Sequence, residues 1–575
     1  MEVTRENFQE VLQELDHVLG KATFLTIDGE FTGLNSGPEA KAFDTPAQYY
    51  LKLRSGSMDF LLVQFGLSVF THDTVTNKYN QRTYNFYVFP RPLNRTAPDC
   101  RFMCQASCIA FLASQGFDFN KLFTKGIPYL ATSEEEKLMK RYEEKQKIRE
   151  EGLDMIPISE EDKPQITEIC QRIDEFLESE AEELLIERCN GYIRRLAHQE
   201  VRQRWPKKIR LESRVEGGSQ NLMVYKMGSK EEEEKKQKER QEKERMEMKE
   251  AVGLSALLRK IADSGKLIVG HNMLLDLCHI VHQFFGPLPE SYSEFKSLIH
   301  GLFPKLIDTK VFSSLPPFKD LIPSSILNHM LDTVKKDPFS IPEITSIENR
   351  SYMTNQEVYH EAGFDAYVTG LCFVAMANYL GSQQSTKVDT VLPDSSLLGP
   401  FLNKLLILRL KDFPYINLVG PDPNPSRDHV FHVTFPKNWK LNNLSQTFNP
   451  WGGVYVSWLS DTTAYVGLNR REQAPGLRKK VKKNGHLGDC QIQTYTRHQA
   501  STESIKDNNT EVDRKRKQPP TESSAVKKDT PRSDADGWEF TSGKRRRKRG
   551  KGAVTENEKD AEPGGEKPFD EASWE

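Results

Sequence analysis

Residues 24–33 read FLTIDGEFTG, a strand-like stretch that ends in two acids, Asp28 and Glu30, with Gly29 between them. Alternate side chains of a strand share a face, so both carboxylates point the same way. Placed that close they repel, and one pKa rises unless a cation lies between them. Gly29 lets another backbone or a ligand come near. By itself the doublet also suits an exposed strand end with two solvated acids. Two later segments carry the same kind of chemistry. GHNMLLD (270–276) follows a strand pattern and opens a helix, with Asp276 among Met273, Leu274, Leu275 and Leu277. An acid in such an apolar run is costly unless it is paired or faces a site, and Asn272 is placed to cap the helix. HEAGFDAY (360–367) holds His360 and Asp365. Five residues turn a helix through about 140°, so the two share no face of one straight helix. They reach one point if His360 lies in the loop and Asp365 in the first turn, where a plain N-terminal acid would also sit.

Together these are four acids and one histidine, each beside a strand end or a helix start. All-oxygen donors favour Mg²⁺ or Mn²⁺ over zinc. Two such ions can activate a water, hold a scissile phosphate and stabilise the leaving oxygen. A histidine titrating near neutrality can take the water's proton.

The elements that must position these residues read as an interrupted α/β domain. A helix (6–19) precedes the strand 23–31. FLLVQFGLSVF (60–70) and TYNFYVFP (83–90) flank the turn-rich THDTVTNKYN and read as an antiparallel hairpin. An amphipathic helix pattern (165–187) and YIRRLAHQEVRQRWP (192–206) read as a small helical or α+β insertion. SKEEEEKKQKERQEKERMEMKE (229–250) is nearly all charge, so it is a solvated helix or a tether. The α/β pattern resumes with a helix (251–263) and the strand KLIVG, and ends with a helix at 364–380. Short strands follow around VFHVTF, VYVSWL and TAYVGL.

The bulk properties agree. A length of 575 residues implies roughly three to four folded units. Net charge is −2, so any basic surface is local. Eight cysteines include three at four-residue spacing, Cys100, Cys104 and Cys108, which would make one helical stripe. No CxxC or neighbouring histidine completes a zinc set. The acidic, amphipathic N-terminus is no secretory leader, and no run nears the ~18 apolar residues of a membrane span. These features predict a soluble intracellular protein with no membrane partner.

The order DGEFTG, GHNMLLD, HEAGFD resembles the DEDD exonuclease family in its histidine-bearing subtype. The strings SMDFLLVQFGL, NFYVFPRPLNR, LASQGFDFNKLF, GHNMLLDLCHIVHQFF and HEAGFDAYVTGLCF resemble its poly(A)-degrading members, from residue 1 to about 500. The resemblance implies a ribonuclease-H-like mixed sheet flanked by helices, split over 1–150 and 251–385. An Arg-xxx-His nucleic-acid-binding insertion would occupy 155–225, the charged helix or tether 226–250, and an RRM-like α+β domain 400–500. Composition makes 501–575 a disordered tail. By that resemblance Asp28, Glu30, Asp276 and Asp365 hold two Mg²⁺ ions, with Mn²⁺ possible. His360 takes the general-base position, and the reaction is 3′→5′ hydrolysis of poly(A) releasing 5′-AMP. The resemblance further implies homodimers and a bound mRNA 5′ cap.

RNA contacts follow the same logic. Phe31 and Leu34 are candidates to pack on terminal bases, with core packing an even alternative for Phe31. Asn272 is a candidate donor to sugar or phosphate. The resemblance places Lys310 near the adenylate, a position that also suits an ordinary surface lysine. Arg194 and His198 share a helix face. Arg202, Arg204, Lys207, Lys208 and Arg210 add a basic patch around Trp205, suited to single strands. In the RRM-like region Phe431, Val433 and Phe435 read as core, and Thr463 stands where base stacking wants an aromatic. The resemblance assigns Trp458 to the cap, although it shares a face with Val454 and Val456 and reads as core. KRRRKRGK (544–551) fits nuclear import, with residence in nucleus and cytoplasm. An inactive RNA- or cap-binding scaffold and a small-RNA 3′ trimmer of the same family are the alternatives.

Overall fold

The computed structural model describes residues 1–92, 100–151, 156–187, 189–206, 208–216, 219–226, 230–347, 352 and 359–501. The expected disordered tail beyond residue 501, the run KRRRKRGK and Lys207 lie outside the described residues. The chain forms two units, Met1–Pro425 and a second that begins at Ser426.

The first unit is built on a mixed sheet. Its strands are β1 (Glu2–Val3), β2 (Phe24–Phe31), β3 (Leu62–Asp73) and β4 (Lys78–Tyr87). After an insertion carrying β5 (Glu183–Ile186), β6 (Ile209–Glu216) and β7 (Ser219–Lys226) come β8 (Leu267–Gly270), β9 (Leu306–Asp308) and β10 (Ile344–Ser346). The sheet order is β1-β4-β3-β2-β8-β9, with β10 also on β4. β3 is antiparallel to both its neighbours, β2 and β4, the β3–β4 pair being the expected hairpin, and β2, β8 and β9 run parallel. Each sheet face is covered by helices, which explains why β2 and β3 are buried along most of their length. One core packs the helices Phe8–Lys21, Leu254–Asp263 and Leu274–Ile280. The other packs Ala362–Ser382, which is buried along most of its length, as its all-round apolar sequence demands.

The insertion has its own core beneath the helices Lys163–Glu178 and Gly191–Arg204 and the sheet β5-β7-β6. The expected helix over 165–187 stops at Glu178, and its last residues enter β5. Trp205, expected to stack on bases, is core instead: it is 7% exposed, and its indole N–H donates to Asp174 Oδ1 at 2.9 Å. The charged segment is a helix, Lys230–Val252. The cysteine stripe is absent, because the helix that holds Cys108 begins only at Ala106, leaving Cys100 and Cys104 in the preceding coil. All eight cysteines are free. Among the described residues no helix is long and apolar enough to cross a membrane.

The boundary expected at residue 400 is displaced. β11 (Lys404–Leu406) and β12 (Tyr415–Asn417) belong to the first unit, where Leu405 and Ile416 join the core of Val11 and Leu277. The second unit holds β13 (Val430–Thr434), β14 (Val454–Ser460), β15 (Thr463–Leu468), β16 (His486–Leu487) and β17 (Cys490–Thr494), ordered β14-β15-β13-β17-β16. Two helices, Leu441–Phe448 and Ala474–Asn484, pack on one face. Phe431, Val433 and Phe435 do point into that core.

The long buried helix meets β3 closely because Gly66 lacks a side chain: a Cβ there would stand 2.0 Å from the Ala362 carbonyl oxygen. Gly66→Ala is expected to cost about 2–3 kcal/mol in a denaturant titration. Unchanged stability would contradict this contact.

Candidate active site

The three acidic segments converge at one edge of the sheet. β2 pairs with β8 only through Thr26↔Val269. Beyond that point β2 continues along β3 with Asp28 opposite Gly66 and Glu30 opposite Gln64. The edge of β2 that β8 leaves there faces the helix Leu274–Ile280, whose first turn carries Asp276. Asp365 comes from the first turn of Ala362–Ser382 on the other sheet face, and Thr26 Oγ1 donates to Ala366 O at 2.6 Å beside it.

One carboxylate oxygen each from Asp28, Glu30 and Asp365 lie within 4.8 Å of one another. Asp276 is the fourth acid: its charge reaches both members of the doublet. Gly29 answers to this acid. A Cβ on it would stand 2.9 Å from Asp276 Oδ1 and 3.0 Å from Leu62 Cδ1, so the glycine admits a side chain rather than a backbone. Glu30 and Asp276 are nearly inaccessible, at 4% and 7% exposed. Burial, then the charges of Asp276, Asp365 and Glu30, pushes the Asp28 carboxyl well above its usual range. Burial, then Asp365 and Asp276, does the same to Glu30. Burial, with Asp308 adding repulsion, raises Asp276 from 3.8 to about 7. Asp276 Oδ1 is buried without a hydrogen-bond partner. An orphaned buried oxygen beside three clustered carboxylates fits a hard divalent cation.

His360 precedes its helix in a left-handed conformation, φ 65°, uncommon for histidine. Its backbone N–H donates to Asp365 Oδ2 at 2.9 Å, so loop and first turn do meet. The Phe111 ring lies edge-on to its imidazole at 4.8 Å. The helix start is fixed from the sheet: Gln64 Oε1 accepts from Ala362 N–H (3.0 Å), and Asn85 Oδ1 accepts from Gly363 N–H (3.2 Å). Asn85 Nδ2 donates to Glu361 Oε1 (2.7 Å), and Tyr352 donates to Glu361 Oε2. Gln64, Asn85 and Phe111 went unnoticed in the sequence. A polar residue in a mostly apolar stretch was the available signal for Gln64; Asn85 sits in a strand rich in polar residues and gave none.

Asp308 was also missed. It is 1% exposed and accepts three backbone N–H groups, from Asn272 and Lys310 on Oδ1 (3.0 Å each) and from Leu406 on Oδ2 (3.1 Å). It ties the loop before the Asp276 helix to Lys310 and to β11. The expectation that Asn272 caps that helix fails: the N-cap is Met273, and Asn272 sits before it at φ 60°. Lys310 is 8% exposed, not a surface lysine, and its charge opposes the burial-driven rise of the Asp308 carboxyl.

The remaining expected contacts are placed differently. The β2–β3 register slips at Glu30/Phe31, and Phe31 is core, 5% exposed, with its ring on His279 at 4.6 Å. So little of the ring is left to a base that its assignment as a base-stacking residue does not stand. Leu34 is partly buried on the same core, its N–H donating to Gln105 Oε1. In the insertion Arg194 donates to Cys189 O at 2.6 Å. Burial, then Arg202, Arg194 and Arg240, lowers the His198 pKa. Trp458 is 39% exposed, edge-on to Phe435 at 5.3 Å, and so lies at the margin of its core rather than inside it.

A family profile described as CAF1 family ribonuclease matches residues 3–373, and one described as RNA binding domain matches residues 420–501. The chain is 43% identical over 515 residues to the human poly(A)-specific ribonuclease PARN, covering 87% of this chain and 80% of that one. It is 41% identical over 514 residues to the Xenopus laevis protein of the same name, covering 87% and 81%. It is 27% identical over 509 residues to the pre-piRNA 3′-exonuclease trimmer of Bombyx mori, covering 86% and 93%.

Two outcomes follow from the crowded acids. Asp276 titrates near 3.8 unfolded and near 7 folded, so the metal-free fold holds the extra proton between those values and loses stability as pH rises through 7. In EDTA the melting temperature is expected to be higher at about pH 5.5 than at pH 8, with millimolar Mg²⁺ narrowing the gap; a melting temperature that rises with pH would contradict it. Gly29→Ala is expected to leave the melting temperature within a few degrees but to weaken Mg²⁺ binding at least about tenfold, by displacing Asp276. Calorimetric titration of the variant reads this directly.

Proposed function

The chain belongs to the CAF1 ribonuclease family, and from that premise we propose that it is a 3′→5′ exoribonuclease that shortens poly(A) by metal-assisted hydrolysis. The observation that carries the reading is the cluster of Asp28, Glu30 and Asp365 oxygens within 4.8 Å, with the unsatisfied Asp276 oxygen beside them. Poly(A) as substrate comes from the human and frog relatives, whose names state that specificity.

In this reading Asp28, Glu30, Asp276 and Asp365 hold two Mg²⁺ ions, with Mn²⁺ as a substitute. Bound there, the ions supply Lewis-acid activation of water and neutralise charge at the scissile phosphate. The carboxylates are held by one sheet strand, β2, and two helix starts, so no reorganisation is needed when substrate arrives. His360 receives the proton of the attacking water. The water oxygen bonds to phosphorus, the P–O3′ bond breaks, the leaving O3′ takes a proton from solvent water, and the products are 5′-AMP and an RNA shortened by one nucleotide with a free 3′-hydroxyl. Leu34, Asn272 and Lys310 would hold the terminal nucleotide, with Lys310 opposing phosphate charge. Arg194 and His198 would contact RNA from the insertion. The same reading includes a 5′ cap at Trp458, a homodimer, and residence in nucleus and cytoplasm.

End-labelled A-, C-, G- and U-homopolymers, digested with Mg²⁺ or with EDTA, test it. The expected result is stepwise shortening of oligo(A) from its 3′ end, abolished by EDTA and reduced roughly 10³-fold or more by Asp28→Ala. Undiminished cleavage by Asp28→Ala overturns the site, and equal cleavage of all four polymers overturns the adenine preference.

A further inference from the structure

The second unit matches an RNA binding domain, yet its own chain closes the sheet face on which such domains stack bases. His432 on β13 and Tyr465 on β15 point to that face, and they are 7% and 6% exposed. The helical turn at 495–501 lies over them. The His498 ring stacks on His432 with centroids 3.7 Å apart and planes 7° from parallel, occupying the place a base would take. Tyr465 Oη meets His498 Nδ1 at 2.8 Å and accepts from Gln499 Nε2 at 2.9 Å. The Tyr495 ring packs on Tyr465 at 5.1 Å.

The opposite face is unlike it. Residues 470–483 hold seven Lys or Arg and one acid, in a protein of net charge −2. The helix Ala474–Asn484 buries Ala474, Leu477 and Val481, and turns Lys479, Lys480, Lys482 and Lys483 to solvent. Lys480 lies over the Trp451 ring at 5.2 Å, and Arg478 is paired with Asp428 at 2.6 Å. Among the described residues Lys479, Lys482 and Lys483 have no ion-pair partner. Like charges gathered on consecutive turns repel, and a polyanion removes that cost.

We propose that this unit binds single-stranded RNA by its sugar–phosphate backbone, along the lysine face of the helix Ala474–Asn484, and not by stacking bases on the sheet. This deepens the reading of the chain as an RNA-shortening enzyme: a backbone contact is indifferent to sequence and lets RNA slide as its end is consumed. It rests on that reading, but its readout is binding, which does not depend on cleavage.

The test uses the full chain with Asp28→Ala, so that RNA survives, and a fluorescent oligo(A) of about 20 nucleotides. Lys479→Glu/Lys482→Glu/Lys483→Glu is expected to weaken binding at least tenfold at low salt. It should also make the slope of log affinity against log salt shallower by about 2, at roughly 0.7 per phosphate contact. The Gln triple variant should fall between, and His498→Ala should leave affinity within about twofold. An unchanged affinity and salt slope in both triple variants, with circular dichroism showing them folded, overturns the proposal. So does a large gain of affinity in His498→Ala alone, which would move RNA to the sheet. Retention of RNA binding with loss of binding to phosphatidylserine vesicles would also overturn it, assigning the lysines to a lipid surface.

Discussion

Four carboxylates confined to one poorly solvated place repel one another, and nothing in their own chemistry holds them there. The work is done elsewhere, by apolar packing on both faces of a sheet and by a helix buried for most of its length. Three of the acids have pKa values raised by burial before any neighbouring charge acts. The fold thus holds them in an environment that disfavours their ionised form, and a cation relieves that condition. Stability and cation affinity are therefore opposed at this spot: a sheet that let the acids separate would gain stability and lose the site.

The positions of the acids are set by contacts with no slack. Asp28 and Glu30 are fixed by register with β3. Asp276 enters where Gly29 makes room, and its helix hangs from a loop bound to Asp308. Asp365 arrives on a helix whose first N–H groups are held by Gln64 and Asn85, side chains from neighbouring strands. The acids are thus referenced to neighbouring strands of one sheet, β4, β3, β2 and β9, although the four are spread over more than 300 residues.

Much of this was legible in the sequence. The hairpin and the two strand ends read from apolar runs bounded by turn residues, the long helix from an unbroken apolar stretch, and residue type with spacing was enough to single out four acids and a histidine as candidates. Four kinds of feature were not. Register slips are invisible to alternation, so Phe31 was left even between base and core until the slip at Glu30 placed it against His279. Basic surroundings concealed the tertiary role of Trp205, whose indole nitrogen finds Asp174 thirty-one residues earlier. Buried polar residues that serve distant backbone groups, Asp308 above all, look like ordinary acids or amides in a linear reading. The strand pair near residue 410 likewise reads as the start of the next domain, because nothing local shows that Leu405 and Ile416 complete an earlier core.

The insertion divides the clustered acids into two groups along the chain, Asp28 and Glu30 before it and Asp276 and Asp365 after it. β2 finds its parallel neighbour about 240 residues later, and the bond from Thr26 to Ala366 spans 340 residues. A ribosome that has completed the charged helix ending at Val252 has released only the first pair. The half-made polypeptide therefore holds only two of the four clustered acids and lacks His360. Closure of the acidic cluster therefore waits until the second half of the chain has been made and packed onto the first.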